Sequence, residues 1–491
     1  MEICFPVEKR RLLEYTVGTV DTTQWRFSMG KRFFISAFLI IVIIALIAVG
    51  AAFFFDGRYS TLAASQAEQS AEATQDIDQM AAEAGAVLEG QAVPDTSPAV
   101  IASPTPYAPS DSTAPADTGS DAEEAAPVVS AEPDAPAEDP NTARAETILS
   151  GMSLEDKICQ MLFVTPEALT GYTKVTQSGD VTREALSQWP VGGIIYFGSN
   201  LVTVDQTTSM ISDIQSYAQE LTGRRLFIGV DEEGGSVARA ADALGTTQFD
   251  DMAVYGEAGD TEAAYNIGAT QASDLTALGF NVNFSPVADV LTNEENTVVK
   301  SRSFGSDPDL VSSMVTQVVK GLTDGGMLCA PKHFPGHGST GGDTHDGFAA
   351  SDRTLEELEA CDFKPFEAAI EAGAPMIMVG HMTMTAIDPD NPASLSKTIV
   401  TDLLRNQLGY NGIIITDALN MGAISQNYTG AECAVKAISA GCDMLLCVGN
   451  ISSVVSAVSE AVADGTTPES QINDSVTRIL TAKLQYGIIS E

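Results

Sequence analysis

Among 491 residues there are four histidines, and three of them, His333, His337 and His345, fall within thirteen positions. The window reads Lys332-His333-Phe334-Pro335-Gly336-His337-Gly338-Ser339-Thr340-Gly341-Gly342-Asp343-Thr344-His345. Imidazole trades protons near neutral pH. Glycine lets a loop approach a ligand closely, and Asp343 stands where it could hold and polarise His345. That is the composition of an acid–base loop. The three histidines with Asp343 would also be the donor set of a zinc site, which commonly takes three such ligands and a water. Against this, the Phe334-Pro335-Gly336 spacing fits no regular ligand-bearing helix, and Lys332 adds an unfavourable positive charge. No metal and no cofactor is expected.

Other polar residues stand at the ends of apolar runs. Asp417 closes Gly412-Ile413-Ile414-Ile415-Thr416, where a carboxylate either caps the next helix or faces an active centre. Asp231 opens Asp231-Glu232-Glu233-Gly234-Gly235-Ser236-Val237-Ala238-Arg239 with the same two readings. His381 ends another run, either as a satisfied buried histidine or as a functional group.

These residues need elements to hold them. Short apolar runs predict strands at Met161–Thr165, Gly193–Phe197, Leu226–Asp231, Asn281–Ser285, Leu328–Lys332, Met376–His381, Ile413–Asp417 and Asp443–Val448. Helical patterns lie between them, among them Leu310–Thr323, Leu355–Ala372 and Ala431–Ala440, and Ser470–Leu484 would come last. Eight strands alternating with helices predict an α/β fold, a (β/α)8 TIM-like barrel over residues 142–491, with an open doubly wound sheet as the competitor. Active sites gather at strand C-terminal ends in such a barrel. Asp231, Asp289, Lys332-His333, His381 and Asp417 all sit at or just past such an end.

The remainder of the chain is of another kind. Phe33–Phe55 is uncharged over about 23 residues, and roughly 20 span a hydrocarbon core. Lys31, Arg32 and the Lys9-Arg10-Arg11 cluster precede it, so residues 1–32 are expected in the cytoplasm and residues 33–55 as a transmembrane signal anchor. The alternative is a cleaved signal peptide starting at Met29, with a secreted product. Both place the catalytic part on the extracytoplasmic side. Residues 56–141, rich in Ala, Pro, Ser, Thr and acidic residues, read as a disordered linker with a mean span on the order of 50 Å. The net charge of −41 argues against nucleic acid as a partner, since that needs clustered Lys and Arg. Seven cysteines (Cys4, Cys159, Cys329, Cys361, Cys433, Cys442, Cys447) show no metal-type pairing. Cys442–Cys447 is the one disulfide worth weighing.

The motifs resemble those of the family 3 glycoside hydrolases that act as β-N-acetylglucosaminidases. Lys332–His345 fits K-H-(F/I)-P-G-(H/L)-G-x(4)-D-(S/T)-H, Asp231–Arg239 fits D-x-E-G-G-x-V-x-R, and Arg302-Ser303-Phe304-Gly305 fits R-S-F-G. Thr416-Asp417-Ala418-Leu419-Asn420-Met421 is similar to the nucleophile segment. The resemblance implies a single-barrel, retaining exo-β-N-acetylglucosaminidase acting on β-linked N-acetylglucosamine in peptidoglycan-type glycans. It implies Asp417 as nucleophile, His345 as acid–base with Asp343 as partner, and Asp231, Arg239, Arg302, Lys332 and His333 as the sugar-binding set. Asp289 matches P-V-x-D and takes a supporting role. A phosphorylase on the same scaffold is one alternative, because a neutral base repels phosphate less than a carboxylate does. A catalytically silent, membrane-tethered wall-binding protein is another, though it would be expected to lack one of Asp417, Asp343 or His345.

Overall fold

The computed structural model describes residues 139–341 and 349–490. Strands occur at each of the eight expected positions, mostly trimmed to two to four residues. In chain order they are β1 (Leu162–Val164), β2 (Gly193–Ile195), β3 (Phe227–Val230), β4 (Glu232–Gly234), β5 (Val237–Ala238), β6 (Val282–Asn283), β7 (Leu328–Cys329), β8 (Ala350–Ser351), β9 (Met376–Val379), β10 (Thr383–Met384), β11 (Ile413–Thr416) and β12 (Leu445–Leu446). The four not expected, β4, β5, β8 and β10, form small pairs of their own beyond strand ends.

The expected closed TIM-like barrel is corrected to a curled parallel sheet, a half-barrel with helices around it. Six strands share one ladder in the order β12-β1-β2-β3-β6-β7, while β9 and β11 pair separately with each other. Isolated bridges, Phe334 to Val379 and Ile415 to Met444, join the two sheets. Both seams have a chemical cause. Beyond β7 the chain contains Pro331 and Pro335, which have no N–H to give a ladder. At the other seam side chains occupy ladder positions: Asp443 Oδ2 accepts from Ile414 N at 2.8 Å and Thr416 Oγ1 from Leu446 N at 3.1 Å.

Every residue of β1, β2, β3, β9 and β11 is buried. That pattern belongs to strands covered on both faces. Phe163 stacks on Phe227 and meets Phe284 edge-on, ring centroids 6.3 and 5.2 Å apart. The helix Pro308–Asp324 starts on a proline and is capped by the Asp307 carboxylate, which accepts from Asp309 N. The single helix expected over Leu355–Ala372 is interrupted: Leu355–Glu357 runs into a π-helical turn at Leu358–Asp362, and Lys364–Glu371 starts afresh. Pro365 explains the break, since it cannot donate within a continuing helix.

Among the described residues no helix is long and apolar enough to cross a membrane. The membrane helix expected at Phe33–Phe55 lies outside them and forms no part of the fold described. Cys442 and Cys447 are both free, so the disulfide weighed between them is absent.

Candidate active site

Asp231 directly follows β3, and Glu232 to Gly234 then forms a short hairpin strand with β5. Gly234 and Gly235 turn that hairpin with φ of 102° and 55°, angles open to glycine at no steric cost. Asn283, at the end of β6, clamps the strand: its Oδ1 accepts from Glu232 N at 3.0 Å and its Nδ2 donates to Glu232 O at 2.8 Å. Glu233 is thereby turned inward and is almost fully buried.

Four charges meet there. Lys332 Nζ lies 2.7 Å from Asp231 Oδ1 and 2.6 Å from Glu233 Oε1. Arg302 grips Glu233 with both arms, Nε to Oε2 at 2.7 Å and Nη2 to Oε1 at 2.8 Å. Two cations against two carboxylates balance the cluster, which burial alone would make costly. Burial pushes the Glu233 carboxyl up, but Lys332 and Arg302 more than reverse this and hold it far below the usual range. Burial also works against the Lys332 ammonium, and Asp231 and Glu233 overcome it, so its pKa rises.

His333 adjoins this cluster. Its Nδ1 hydrogen-bonds Asp289 Oδ2 at 2.8 Å, and its Nε2 lies 3.5 Å from Arg302 Nη2. Asp289 is fully buried and also accepts from the backbone N–H groups of His333 and His337, at 3.2 and 2.7 Å. One carboxylate therefore shapes the whole turn from His333 to His337. Burial raises its pKa, and His333 and His337 turn the balance so that it is held low. Gly338 is required by contact: a Cβ there would lie 1.9 Å from the Val290 carbonyl oxygen. His337 hydrogen-bonds Thr340 Oγ1 through Nδ1 at 2.9 Å and meets the His333 ring edge-on.

Asp417 follows β11. Its N–H donates to Val379 O at 2.8 Å, which ties it to the end of β9, and its Oδ1 accepts from Ala418 N at 2.7 Å. Burial would raise the carboxyl, but the His381 and His333 imidazoles, the Ala418 N–H and the Lys332 ammonium outweigh it. The group is held ionised at neutral pH, as attack on an electron-poor carbon requires.

The structure thus brings Asp231, Arg302, Lys332 and His333 together and sets Asp417 within their electrostatic reach. Arg239 is treated differently. Its backbone N–H donates to Asp231 O at 3.3 Å, and among the described residues its Nε has no hydrogen-bond partner and its guanidinium joins no ion pair of this cluster. Asp343 and His345 lie outside the described residues. The chain on either side of them is pinned: Gly341 bridges Ala350, and Ser339 Oγ meets Ser351 Oγ at 2.8 Å. Sequence reasoning missed Glu233 and Asn283. Glu233 was visible as the glutamate of the Asp-x-Glu-Gly-Gly motif; Asn283, inside an apolar strand, carried no signal.

The family model described as the glycosyl hydrolase family 3 N terminal domain matches residues 153–482. A β-hexosaminidase of Chromobacterium violaceum is 37% identical over 273 residues, covering 54% of this chain and 74% of its own. β-Hexosaminidase A of Pseudoalteromonas piscicida is 32% identical over 325 residues; these cover 61% of this chain but 54% of the relative, so the chain spans about half that protein's length. Among solved structures, a glycoside hydrolase family 3 β-N-acetylglucosaminidase from Paenibacillus sp. str. FPU-7 superposes with a TM-score of 0.65 at 35% identity, covering 70% of this chain and 64% of that one.

Proposed function

The chain belongs to glycosyl hydrolase family 3, and from that membership we propose that it is a retaining β-N-acetylhexosaminidase. Its substrate would be a glycan with a β-linked N-acetylglucosamine at the non-reducing end, of the kind found in peptidoglycan. The observation that carries this reading is an ionised Asp417 just after β11, its carboxyl held low in part by Lys332, whose ammonium pairs with Asp231 and Glu233.

Asp417 attacks the anomeric carbon and forms a glycosyl–aspartate while the aglycone oxygen takes a proton. His345, oriented by Asp343, supplies that proton and then deprotonates the water that releases the sugar. Lys332, Arg302 and His333 offer N–H donors to the sugar's hydroxyl and acetamido oxygens. Asp231, with a side chain partly open to solvent, accepts from its hydroxyls. Asp289 acts through His333, holding its ring.

The test is turnover of a chromogenic β-N-acetylglucosaminide by the full chain, with and without inorganic phosphate. Release of free N-acetylglucosamine, lost in D417A, is the expected result. Near-normal turnover by D417A would remove the nucleophile assignment. A sugar 1-phosphate product would move the chain to a phosphorylase.

A further inference from the structure

His381 lies one residue beyond Gly380 at the end of β9, buried, on the strand that Asp417 is tied to. Its Nε2 is 3.0 Å from the Ala418 carbonyl oxygen and its Nδ1 is 2.8 Å from Ser394 Oγ. A carbonyl can only accept, so Nε2 carries the proton. In the neutral ring Nδ1 must then accept from the serine hydroxyl. Ser394 is itself fixed: it is wholly buried, and its N–H donates to Gly380 O at 3.1 Å.

The carbonyl that His381 takes up belongs to the residue after Asp417. Asp417 N is held by Val379 O, and Leu419 N by Leu446 O at 2.9 Å. Those two bonds fix the turn on either side of Ala418, and the His381 bond fixes its middle. The Ala418 N–H, on the same short turn, is also the donor that reaches Asp417 Oδ1. The Ala418 carbonyl lies in the Ala418–Leu419 peptide, whose N–H is the one held by Leu446 O, and the Ala418 N–H lies in the preceding peptide. The two planes meet at the Ala418 Cα, so freeing the first lets the second turn and releases the carboxylate.

We propose that His381 is the positioning residue for Asp417, an imidazole braced at Nδ1 by Ser394 and donating from Nε2, that locks the Ala418–Leu419 peptide and so aims the carboxylate. This rests on Asp417 being the nucleophile, as argued above. Burial keeps His381 below the ordinary imidazole range, and the titratable groups facing it are Asp417 and His333.

The experiment is steady-state kinetics on a chromogenic β-N-acetylglucosaminide for wild type, H381L, H381Q and S394A, with the melting temperature of each. An amide nitrogen at the end of glutamine reaches about as far as Nε2, so H381Q keeps the donor. H381L is expected to lose about a hundredfold in kcat, the scale of a small misplacement of a reacting group, with KM within about twofold. H381Q should recover at least about tenfold of that loss. S394A, which keeps the ring but removes its brace at Nδ1, should lose about threefold to tenfold in kcat and little in KM. Wild-type kcat in both H381L and S394A overturns the proposal, as does a raised KM at unchanged kcat, which would mean that His381 touches the sugar. If H381L does not fold, S394A decides: wild-type kcat there overturns the proposal. An inactive wild type would instead overturn the hexosaminidase reading.

Discussion

Lys332 and Glu233 are each nearly inaccessible to water, and each is tolerable because the other, with Asp231 and Arg302 beside them, balances its charge. Replacing Lys332 with methionine keeps the volume but leaves Asp231 unpaired and Glu233 with Arg302 alone. Removing one partner of a buried pair costs about 3–5 kcal/mol, so K332M should melt well below wild type and bind the sugar more weakly. An unchanged melting temperature together with an unchanged KM would show that the cluster is neither structural nor in the site. Glu232, the neighbour, gives a pH prediction. It is buried and accepts from Ala240 N and Ala241 N, at 2.6 and 3.2 Å, at the head of the helix that starts with Arg239. Burial, opposed by those N–H groups, raises its pKa from 4.5 to about 7. Between those values the folded state binds the proton more tightly than the unfolded chain, so stability is fullest below about pH 4.5 and is lost as pH rises through 7. The wild-type melting temperature should therefore fall between pH 5 and 8 relative to E232Q. Parallel curves would refute the assignment.

Phe334 is where the turn from His333 to His337 is fastened to the rest of the fold. Its ring is fully buried, stacked on Phe363 at 5.3 Å and edge-on to Phe366 at 5.2 Å. Its backbone donates to Met378 O and accepts from Gly380 N, both at 2.9 Å, on either side of β9's end. Emptying such a site costs about 3–5 kcal/mol. F334A should lose that much in denaturant unfolding and, because His333 and His381 flank the contact, kcat as well. Loss of stability with wild-type kcat would mean that the ring supports the core alone. Elements of this kind were partly legible in the sequence. The buried strands were readable because each is a short apolar run bounded by turn residues, and Asp417 and Lys332 stood out as charges ending such runs. The break in Leu355–Ala372 was announced by Pro365 and overlooked because the apolar period continues through it. Sheet closure was not readable. It depends on which N–H meets which carbonyl, and at the β11–β12 seam Asp443 and Thr416 side chains take those places.

At the scale of the molecule, the proposed chemistry is divided between two hydrogen-bonded sheets. The six-stranded ladder carries Asp231 after β3 and Lys332 after β7, while the β9–β11 pair carries His381 and Asp417. The proposed sugar-binding cluster and the proposed nucleophile therefore stand on either side of the seam at Phe334 and Val379, not along one continuous ladder. Amides that close a seam are backed by fewer neighbouring bonds than those inside a ladder, and local opening follows such differences. In native-state hydrogen exchange, Phe334 N, bonded to Met378 O, and Thr416 N, bonded to Met444 O at 3.1 Å, should exchange faster than Tyr196 N and Phe227 N, whose bonds to Gly229 O and Gly192 O lie within the six-stranded sheet. N-acetylglucosamine bound at the proposed site would span both sheets, so it should slow the seam amides more than the ladder amides. Equal protection of all four, free and with sugar, would mean that the two sheets open as one unit and that the seam plays no part in binding.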